Sequence, residues 1–539
     1  MVKDRQHTSG TSWHRPSITV IDNSLLLILK LYGVVAFAAL ALVPRHFLPA
    51  EDAVILFQYS RNLAEHGEIT FLAGGPHVEG ATDFGWMLLN ALAIRCGIPP
   101  FWFCAIANVF SLLMLAVLLL RLANKRLSLS CIFAIAGSAA LFPQIFAAAS
   151  GFAVLPDALL LTTIVFFAMR QKVALASISA LVFCLFRPDG VVFAIPLLIC
   201  LVLEQEERGK SISVISALFF VPGLIYFFWR WHYFGEMFPL PFLVKSDTNR
   251  WFGLFVVHSI RTSLPFLVFV AIVLAPLKLA RNVQKSWLAV VLIAVPTLFY
   301  WTMRLDQNVG SRFFYYLPLS AAIMIAVNWD SLQANRVLVF RTALVSWLLL
   351  FAMPLYRELR TFRDEQFQSV KEIAEALRHM PQHGTLITSE AGFLPYFSGW
   401  TTYDAWGLNT PEFAHRFFRS SDVKRLGADL IVLHPDRPES CVVLPDWEPN
   451  YVDRTWPHLT RNLVEGADET QYELWLTSYG SEFYRQRKQW NYGEGDRECW
   501  FVRKNSPLYA QITRILQEHQ GIAPAEALLL EKVHGKAKR

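Results

Sequence analysis

The sequence predicts a polytopic α-helical membrane protein with a soluble C-terminal α/β domain. Three observations indicate this class: a mean hydropathy of +0.35, a hydrophobic fraction of 54% and a charged fraction of only 17% over 539 residues. The net charge of +6 does not indicate a nucleic-acid partner, because the Lys and Arg residues lie in short clusters between apolar runs. We therefore expect membrane lipid, and no nucleic acid, among the partners.

Eleven apolar stretches are long enough, or nearly so, to cross a bilayer as helices. They are approximately 24–44, 101–120, 129–149, 155–169, 172–187, 190–203, 211–231, 262–278, 286–302, 313–328 and 338–354. The first is expected to remain as a helix, because it is longer than the core of a signal peptide. Two shorter runs, Phe84 to Ala93 and Trp251 to Ile260, are each followed by an arginine, so we interpret them as interfacial or re-entrant helices.

The basic residues between these stretches predict the orientation of the chain. If the N-terminus is cytoplasmic and the loops alternate between the two sides, the clusters of Lys and Arg fall in the cytoplasmic loops, as the positive-inside rule requires. Their basic residues are Lys3, Arg5, Arg15, Arg121, Lys125, Arg126, Arg170, Lys172, Arg208, Lys210, Lys278, Arg281, Lys285, Arg336 and Arg341. Eleven spans then place the C-terminal region outside the cytoplasm, which divides the chain into a transmembrane domain at 1–354 and an extracytoplasmic domain at 355–539.

The outer region has the pattern of a small α/β domain. Val370, Ile373, Ala374 and Leu377 recur at helical spacing, and strand-like segments follow at Thr385 to Thr388 and at Leu430 to Leu433. Two cysteines, Cys441 and Cys499, also lie in this region. They could form a disulfide in an oxidising compartment, and the sequence leaves that pairing open.

The unusual polar residues of the chain gather on the outer side of the predicted membrane. They are Glu51, Asp52, Arg61, Glu79 and Asp83 in the first outer loop, and Arg187, Asp189, Glu236, Lys245, Asp247, Asp306 and Arg312 in later ones. A transporter or ion path would be expected to place ionisable groups at mid-membrane. This distribution favours chemistry at the outer interface.

The adjacent carboxylates Glu51 and Asp52 have three interpretations: general base, metal ligand or helix N-cap. Residues alone favour the cap, because Ala53 to Ala64 has a helical pattern and Asp52 stands where a cap would be.

The outer basic residues have two interpretations. Arg61, Arg187, Lys245 and Arg312 could bind a phosphate at the membrane surface, since arginine offers a planar fork and lysine a point charge. Any one of them could equally extend to lipid headgroups. The chain has no Walker loop, no dinucleotide fingerprint and no histidines at metal-ligand spacing, so neither a cofactor nor a metal is predicted.

Several outer-loop motifs occur in the order found in a known superfamily. They are Glu51-Asp52-Ala53 with Tyr59 to Leu63, Val78 to Thr82, Ser150-Gly151-Phe152, Arg187-Pro188-Asp189-Gly190, Tyr233 to Pro239 with Lys245, Arg304-Leu305-Asp306 with Arg312 and Pro318, and Glu390-Ala391-Gly392 with Tyr403-Asp404 and Gly407-Leu408-Asn409. On these motifs the chain resembles the C-superfamily (GT-C) glycosyltransferases, and most of all the terminal arabinofuranosyltransferases of actinobacterial cell-wall arabinan synthesis. The matches extend from about residue 45 to about residue 410.

The resemblance implies an inverting glycosyltransferase in a bacterial inner membrane. A single sugar would pass from a polyprenyl-phosphate carrier to a glycan, glycolipid or glycoprotein acceptor, with Asp52 as the catalytic base. Lys245, Arg312 and Arg187 would bind the donor phosphate. Residues that would bind sugar or acceptor are Glu51, Arg61, Glu79, Asp189 and Asp306.

Two departures from the superfamily pattern concern the choice of sugar. Ala153 stands where the superfamily has an acid, and Arg304-Leu305 precede Asp306 in place of two glycines. Two other classes of function stay open from the sequence: a flippase or transporter for lipid-linked saccharides, and a non-catalytic protein of polysaccharide assembly.

Overall fold

The structure is a computed structural model that describes residues 19–246, 254–279, 286–305, 308–332, 335–363, 368–434, 441, 455–467, 470–477, 498–518 and 522–524. Of the predicted site residues, Asp306 lies outside this part of the chain.

The regular secondary structure of the N-terminal domain is helical throughout its described length. Its helices are α1 (Thr19–His46), α2 (Glu51–His66), α3 (Phe84–Arg95), α4 (Pro100–Leu122), α5 (Leu129–Ala139), α6 (Gln144–Ala149), α7 (Val154–Met169), α8 (Val173–Phe186), α9 (Val191–Leu203), α10 (Arg208–Ile215), α11 (Val221–Phe234), α12 (Leu240–Ser246), α13 (Val257–Leu274), α14 (Trp287–Ala289), α15 (Val295–Trp301), α16 (Tyr316–Val327), α17 (Trp329–Leu332), α18 (Arg336–Leu350) and α19 (Ala352–Arg363). Short 3₁₀ or π segments lie at Pro188–Gly190, Ser216–Phe220, Ala275–Leu279, Val290–Ala294 and Val309–Phe314.

Each of the eleven predicted apolar stretches overlaps helix in the structure. Four continuous helical segments of the described chain are long and apolar enough to cross a membrane by themselves: Pro100–Leu122, Arg208–Phe234, Val257–Leu277 and Val309–Val327. The chain is therefore a multi-pass membrane protein, while the count of eleven spans stays a prediction. Along Arg208–Phe234 the side chains of residues such as Ile225 are exposed, as expected for helix surface that faces lipid.

Two stretches differ from the sequence interpretation. The stretch at 129–149 is not one helix: α5 ends at Ala139, and α6 begins after Pro143, whose ring cannot continue the helix. The run Trp251 to Ile260 is not a separate interfacial helix over its described part, because Val257 to Ile260 form the first turn of α13.

The C-terminal domain contains one six-stranded sheet in the order β2-β1-β3-β5-β4-β6. Its strands are β1 (Thr385–Thr388), β2 (Thr401–Asp404), β3 (Leu430–Leu433), β4 (Tyr472–Thr477), β5 (Cys499–Arg503) and β6 (Ile522–Pro524). β1 pairs in parallel with β2 and β3, whereas β5 and β4 continue the sheet antiparallel. Its helices are α20 (Gln368–Arg378), α21 (Phe393–Ser398), α22 (Pro411–His415), α23 (Ser420–Leu426), α24 (Trp456–Gly466) and α25 (Tyr509–Glu518).

The local predictions for this C-terminal domain agree with the structure, while its place outside the cytoplasm stays a prediction. Both predicted strands form, and the apolar face predicted around Ile373 belongs to α20 and is buried. The pairing left open by the sequence is present: Cys441 and Cys499 form a disulfide with a Cα–Cα distance of 5.7 Å. Such a bridge persists in an oxidising compartment, in keeping with a domain outside the cytoplasm.

Helix α2 lies between the two domains. It packs on α3 of the helical domain and on α21 of the outer domain, and most of its residues are buried. One continuous apolar core includes Val54 and Phe57 of α2 together with Leu394 and Trp400 of the outer domain. The outer domain is therefore packed onto the helical domain through the segment that begins with Glu51 and Asp52.

Candidate active site

The start of α2 places Asp52 inside the first turn of the helix. The N-cap is Ala50, no side chain caps the helix, and Ala50 instead donates its N–H to the carbonyl of Ser150 at 2.9 Å. The interpretation of Asp52 as an N-cap is therefore wrong. Its carboxylate still lies near the positive end of the helix dipole, which favours a negative charge there.

Asp52 forms an ion pair with Arg312. The Nη2 atom of Arg312 donates to Oδ2 of Asp52 at 2.7 Å, and both side chains are largely shielded from solvent. The guanidinium also lies 3.9 Å from the ring centroid of Phe152. Its Nη1 atom is buried and has no hydrogen-bond partner among the residues that the structure describes. Nη2 of Arg312 thus binds the carboxylate of Asp52, and Nη1 is left to donate to another group.

An unusual turn presents Arg312. Gly310 and Ser311 adopt left-handed backbone conformations, with φ values of 57° and 54°. A Cβ atom on Gly310 would lie 2.5 Å from the carbonyl oxygen of Pro143, so only glycine fits at this position. Ser311 pays the cost of a conformation that side chains rarely adopt, and such turns are often found where a functional residue must be aimed.

The Asp52–Arg312 pair lines a cavity of about 650 Å³. One part of the wall is polar and includes Asp52, Glu79, Asp83, Arg187, Asp189, Arg230, Lys245, Tyr300, Arg304 and Arg312. The remaining wall is apolar and comes from α8, α9, α11, the π segment before α11 and α15, with residues such as Leu185, Ile195, Phe220, Leu224, Phe227 and Phe299. The cavity therefore joins a charged region to an apolar surface between helices, and it fits an amphipathic ligand.

Six of the nine predicted site residues line this cavity: Asp52, Glu79, Arg187, Asp189, Lys245 and Arg312. Glu51 and Arg61 do not line it, and Asp306 is outside the described residues.

The charge of Arg187 is balanced within the protein. Its Nε and Nη2 atoms donate to the two carboxylate oxygens of Asp189 at 2.9 and 2.7 Å, and Asp157 lies 3.5 Å away. The hydroxyl of Tyr300 donates to Asp189 at 2.5 Å. Because two acids already surround Arg187, it contributes less net positive charge to the cavity than its residue type suggests.

Glu79 is paired with an arginine that the sequence did not bring forward. Arg230 donates from Nε to Oε2 of Glu79 at 2.6 Å and from Nη1 to the carbonyl of Met237 at 2.9 Å, and the pair is buried. Burial raises the pKa of Glu79, and the hydrogen bond and charge of Arg230 oppose that rise. The pair joins the first outer loop to the end of α11.

Glu51 and Arg61 hold the outer domain onto α2. Both carboxylate oxygens of Glu51 accept backbone N–H groups, from Gly392 at 2.5 Å and from Phe393 at 2.9 Å. Arg61 donates to the carbonyl of Tyr396 at 2.7 Å, and its guanidinium lies over the ring of that residue. Burial, with the nearby charge of Glu390, raises the pKa of Glu51 well above its ordinary value, against the two N–H donors.

Lys245 closes the polar region from the end of α12. Its ammonium lies 5.8 Å from the ring centroid of Phe313, which follows Arg312. Its carbonyl accepts the N–H of Arg304 at 3.3 Å. Lys245 and Arg312 therefore line the same part of the cavity from two different segments of the chain.

The sequence reasoning missed three residues of the polar network: Asp157, Arg230 and Tyr300. A signal for the first two was present, because each is the single charged residue in a predicted span and such residues are costly unless they have a role. Asp83 was noted in the first outer loop but was not chosen, and it lines the cavity. Burial raises the pKa of Asp83, and the charge of Arg187 opposes this.

No cluster of three or more metal-ligating side chains occurs in the cavity within the described part of the chain. One such group, Glu390 with His434 and Glu498, lies in the outer domain.

Comparisons with known proteins give a family match for part of the chain and a fold for most of it. Residues 357–496 match a domain of unknown function, DUF8728. No curated protein sequence matches the chain. The structure of ArnT from Cupriavidus metallidurans in the apo state is similar, with a TM-score of 0.51 and 14% identity, over 77% of this chain and 94% of that chain.

Two further solved structures have slightly lower similarity. ArnT from the same organism bound to undecaprenyl phosphate gives a TM-score of 0.49 at 12% identity, over 77% of this chain and 94% of that one. The Archaeoglobus fulgidus oligosaccharyltransferase in the apo form also gives 0.49, at 10% identity, over 87% of this chain and 81% of that one. The likeness to apo ArnT concerns the fold alone, and it agrees with the GT-C-like fold that the sequence predicted.

Proposed function

We propose that this protein is an inverting glycosyltransferase that moves a single sugar from a polyprenyl-phosphate carrier to an acceptor outside the cytoplasm. The observation that carries the proposal is the cavity itself: a carboxylate, an arginine and a lysine share a polar region that continues into an apolar wall between helices. A phosphate headgroup with a long isoprenoid tail has the same division into charged and apolar parts.

Asp52 is the proposed catalytic base. The hydroxyl of a sugar acceptor has a pKa far above neutrality, so it must lose its proton as its oxygen attacks the anomeric carbon of the donor. A carboxylate placed to accept that proton typically accelerates such a step by about 10²–10⁴-fold. The hydrogen bond from Arg312, at 2.7 Å, holds the carboxylate of Asp52 at the wall of the cavity.

Arg312 and Lys245 are the proposed partners of the departing phosphate. As the bond between the anomeric carbon and the phosphate oxygen breaks, the electron pair stays on the phosphate, which needs no proton to leave. Nη1 of Arg312 is a buried donor without a partner among the described residues, and it can bind a phosphate oxygen while Nη2 stays on Asp52. Lys245 adds a second positive charge to the polar region of the cavity.

The apolar wall is the proposed site of the lipid tail. The wall between α8, α9 and α11 is built from aliphatic and phenyl side chains, which gain by burying isoprene units. The fold agrees with such a donor, since ArnT, whose apo structure this chain resembles, has been solved with undecaprenyl phosphate bound. The proposed location is a bacterial inner membrane, with the N-terminus in the cytoplasm and the outer domain in the periplasm.

The remaining predicted residues have proposed roles in binding. Glu79 and Asp189 line the cavity and would bind hydroxyl groups of sugar or acceptor. Arg187 would bind the donor phosphate through Nη1, whose contact with Asp157 is long, at 3.5 Å. Glu51 and Arg61 would act on the acceptor only indirectly, since their contacts hold the outer domain. No cofactor is proposed for the transfer.

The test is transfer of radiolabelled sugar by purified protein in detergent. Polyprenyl-phosphate arabinofuranose is the first donor to use, because of the motif resemblance, with a short arabinan oligosaccharide as acceptor. We expect turnover by the wild type and a loss of about 10²–10⁴-fold in Asp52→Asn. Glu236→Gln is the matched control: this outer acid pairs with His415 outside the cavity, so its loss should leave turnover unchanged.

Each outcome separates one part of the proposal. Equal turnover by Asp52→Asn and wild type would contradict the role of Asp52. Activity with another lipid-linked sugar, but none with arabinofuranose, would contradict the sugar and keep the reaction class. No transfer from any polyprenyl-phosphate sugar, together with movement of the labelled lipid across proteoliposomes, would replace the transferase by a flippase.

A further inference from the structure

Three neighbouring strands of the outer sheet bring three metal-ligating residues to one end. Glu390 follows the end of β1, His434 follows the end of β3, and Glu498 precedes the start of β5. β1 and β3 are parallel neighbours, and β5 runs antiparallel beside β3, so these three positions must lie at the same edge. The juxtaposition is therefore fixed by the sheet topology.

The donor atoms of the three side chains are close enough to share one ion. One ligand atom from each lies within 4.8 Å of the other two, and Nδ1 of His434 is 2.8 Å from Oε1 of Glu498. Glu498 is buried and His434 is about one-fifth exposed. The side chain of Glu390 has no hydrogen-bond partner within the described ranges, although it faces this pair.

The surroundings of the group are strongly negative. Glu51 and Asp52, at the start of α2, are near enough for their charges to act on Glu390 or His434. Three carboxylates, those of Glu51, Glu390 and Glu498, therefore lie around a single imidazole at the contact between the two domains, while Asp52 keeps Arg312 as its own cation. An uncompensated buried negative charge is costly, and a bound divalent cation would offset it.

We propose that Glu390, His434 and Glu498 form a divalent metal site, with zinc as its ion. One imidazole nitrogen and two carboxylates are a donor set that suits zinc, and a water molecule would complete the coordination. The site is outside the cavity and is separate from the proposed transfer reaction, for which no metal is proposed.

The metal would have a structural effect on the contact between the domains. Glu390 lies two residues before Gly392, whose N–H and that of Phe393 bind the carboxylate of Glu51. An ion bound to Glu390 would fix the segment that carries these two N–H donors. It would thereby stabilise the contact between the outer domain and α2.

The test is the zinc content of the full-length protein. Purified protein in detergent, without an affinity tag, is stripped with a chelator, incubated with ZnCl₂, passed over a desalting column and analysed by mass spectrometry for metal and protein. We expect about one zinc per chain in the wild type and at least about tenfold weaker binding in Glu390→Gln and in His434→Gln. Zinc should also raise the melting temperature of the wild type and not that of Glu390→Gln.

Glu390→Gln keeps the test decisive even if His434→Gln fails to fold, because it preserves size and leaves the His434–Glu498 contact intact. The matched control is His415→Gln, which removes the histidine of another carboxylate pair, His415 with Glu236 at 2.7 Å. Zinc binding should survive in this control. Equal zinc content in wild type and Glu390→Gln, or no zinc retained by the wild type, would overturn the proposal, whatever the result of the transfer assay.

Discussion

The buried pair of Arg230 and Glu79 permits a prediction in which the loss of stability is large when one partner is removed and small when both are replaced. Arg230→Met keeps a long side chain but leaves Glu79 without its cation in a buried site, where each side chain is only 6% exposed. Removing one partner of a buried ion pair typically costs about 3–5 kcal/mol, because the other charge stays desolvated. Glu79→Gln should likewise destabilise the protein, since Arg230 then lacks its carboxylate.

The double variant should recover most of this loss. Replacing both members of a buried pair by uncharged side chains of similar volume is often close to neutral. We therefore expect Arg230→Met with Glu79→Gln to be more stable than either single variant. An additive double variant would refute the argument, because it would mean that the two side chains do not interact energetically.

Thermal unfolding in mild detergent is the assay. With an unfolding entropy of about 2.1 cal/mol/K per residue, a chain of this length loses about 1 °C of melting temperature per kcal/mol. The single variant Arg230→Met should therefore melt about 3–5 °C below the wild type. Lys210→Met on the exposed end of the same helical segment is the control, since its ion pair with Glu207 is exposed and should contribute little.

The pH dependence of Arg230→Met follows from the pKa of Glu79. Burial already raises that pKa in the wild type, and loss of Arg230 removes the group that opposes the rise. A carboxyl group whose folded pKa lies above its unfolded value loses stability as the pH rises through the folded pKa. The stability deficit of Arg230→Met should thus be larger at pH 8 than at pH 5.5. A deficit independent of pH would show that Glu79 is not the group responsible.

Three further predictions concern the outer domain. Gly392→Ala would place a Cβ atom against the carbonyl of Glu51, and we expect a loss of about 1–3 kcal/mol and faster proteolytic release of this domain. Reduction of the disulfide at Cys441, which closes a loop of 58 residues, should cost about 4 kcal/mol, measured by melting with and without reductant. Burial raises the pKa of Asp422, but hydrogen bonds from Arg416 and Arg425 lower it to about 2. The resulting stabilisation is at most about 2 kcal/mol, because the arginines are partly exposed. It should be complete above about pH 4 and lost as the pH falls through about 2. Asp422→Asn should abolish this pH dependence of stability.

The sequence predicted the elements of the fold well where one local pattern decided them. Apolar length predicted the helices, and β-branched runs predicted β1 and β3 with their observed bounds. The division of 129–149 into two helices was missed because hydropathy does not register the effect of Pro143 on the backbone. β4, β5 and β6 were not predicted, because their pairing joins segments that are distant in the sequence.

The candidate site could be predicted in part for the same reason. The acidic and basic side chains of the predicted outer loops are visible in the sequence as polar residues between apolar runs. Six of the residues predicted for the site line one cavity. Arg230 and Asp157 were overlooked because each lies within an apolar stretch and was counted as part of a span. Residue type alone favoured Asp52 as a helix N-cap. The interpretation of Asp52 as a catalytic base came only from the order of the motifs.

The sequence by itself determined that this chain is a helical membrane protein, because hydropathy is a local property of the chain, while the placement of its chemistry on the outer side stays a prediction from charge. Only the tertiary structure decided which polar residues meet. Arg312 reaches Asp52 across 260 residues, which no local pattern encodes. Glu51 and Asp52 are adjacent in sequence but serve different surfaces, because successive side chains on a helix diverge by about 100°. Asp52 therefore faces the cavity, while Glu51 holds the outer domain.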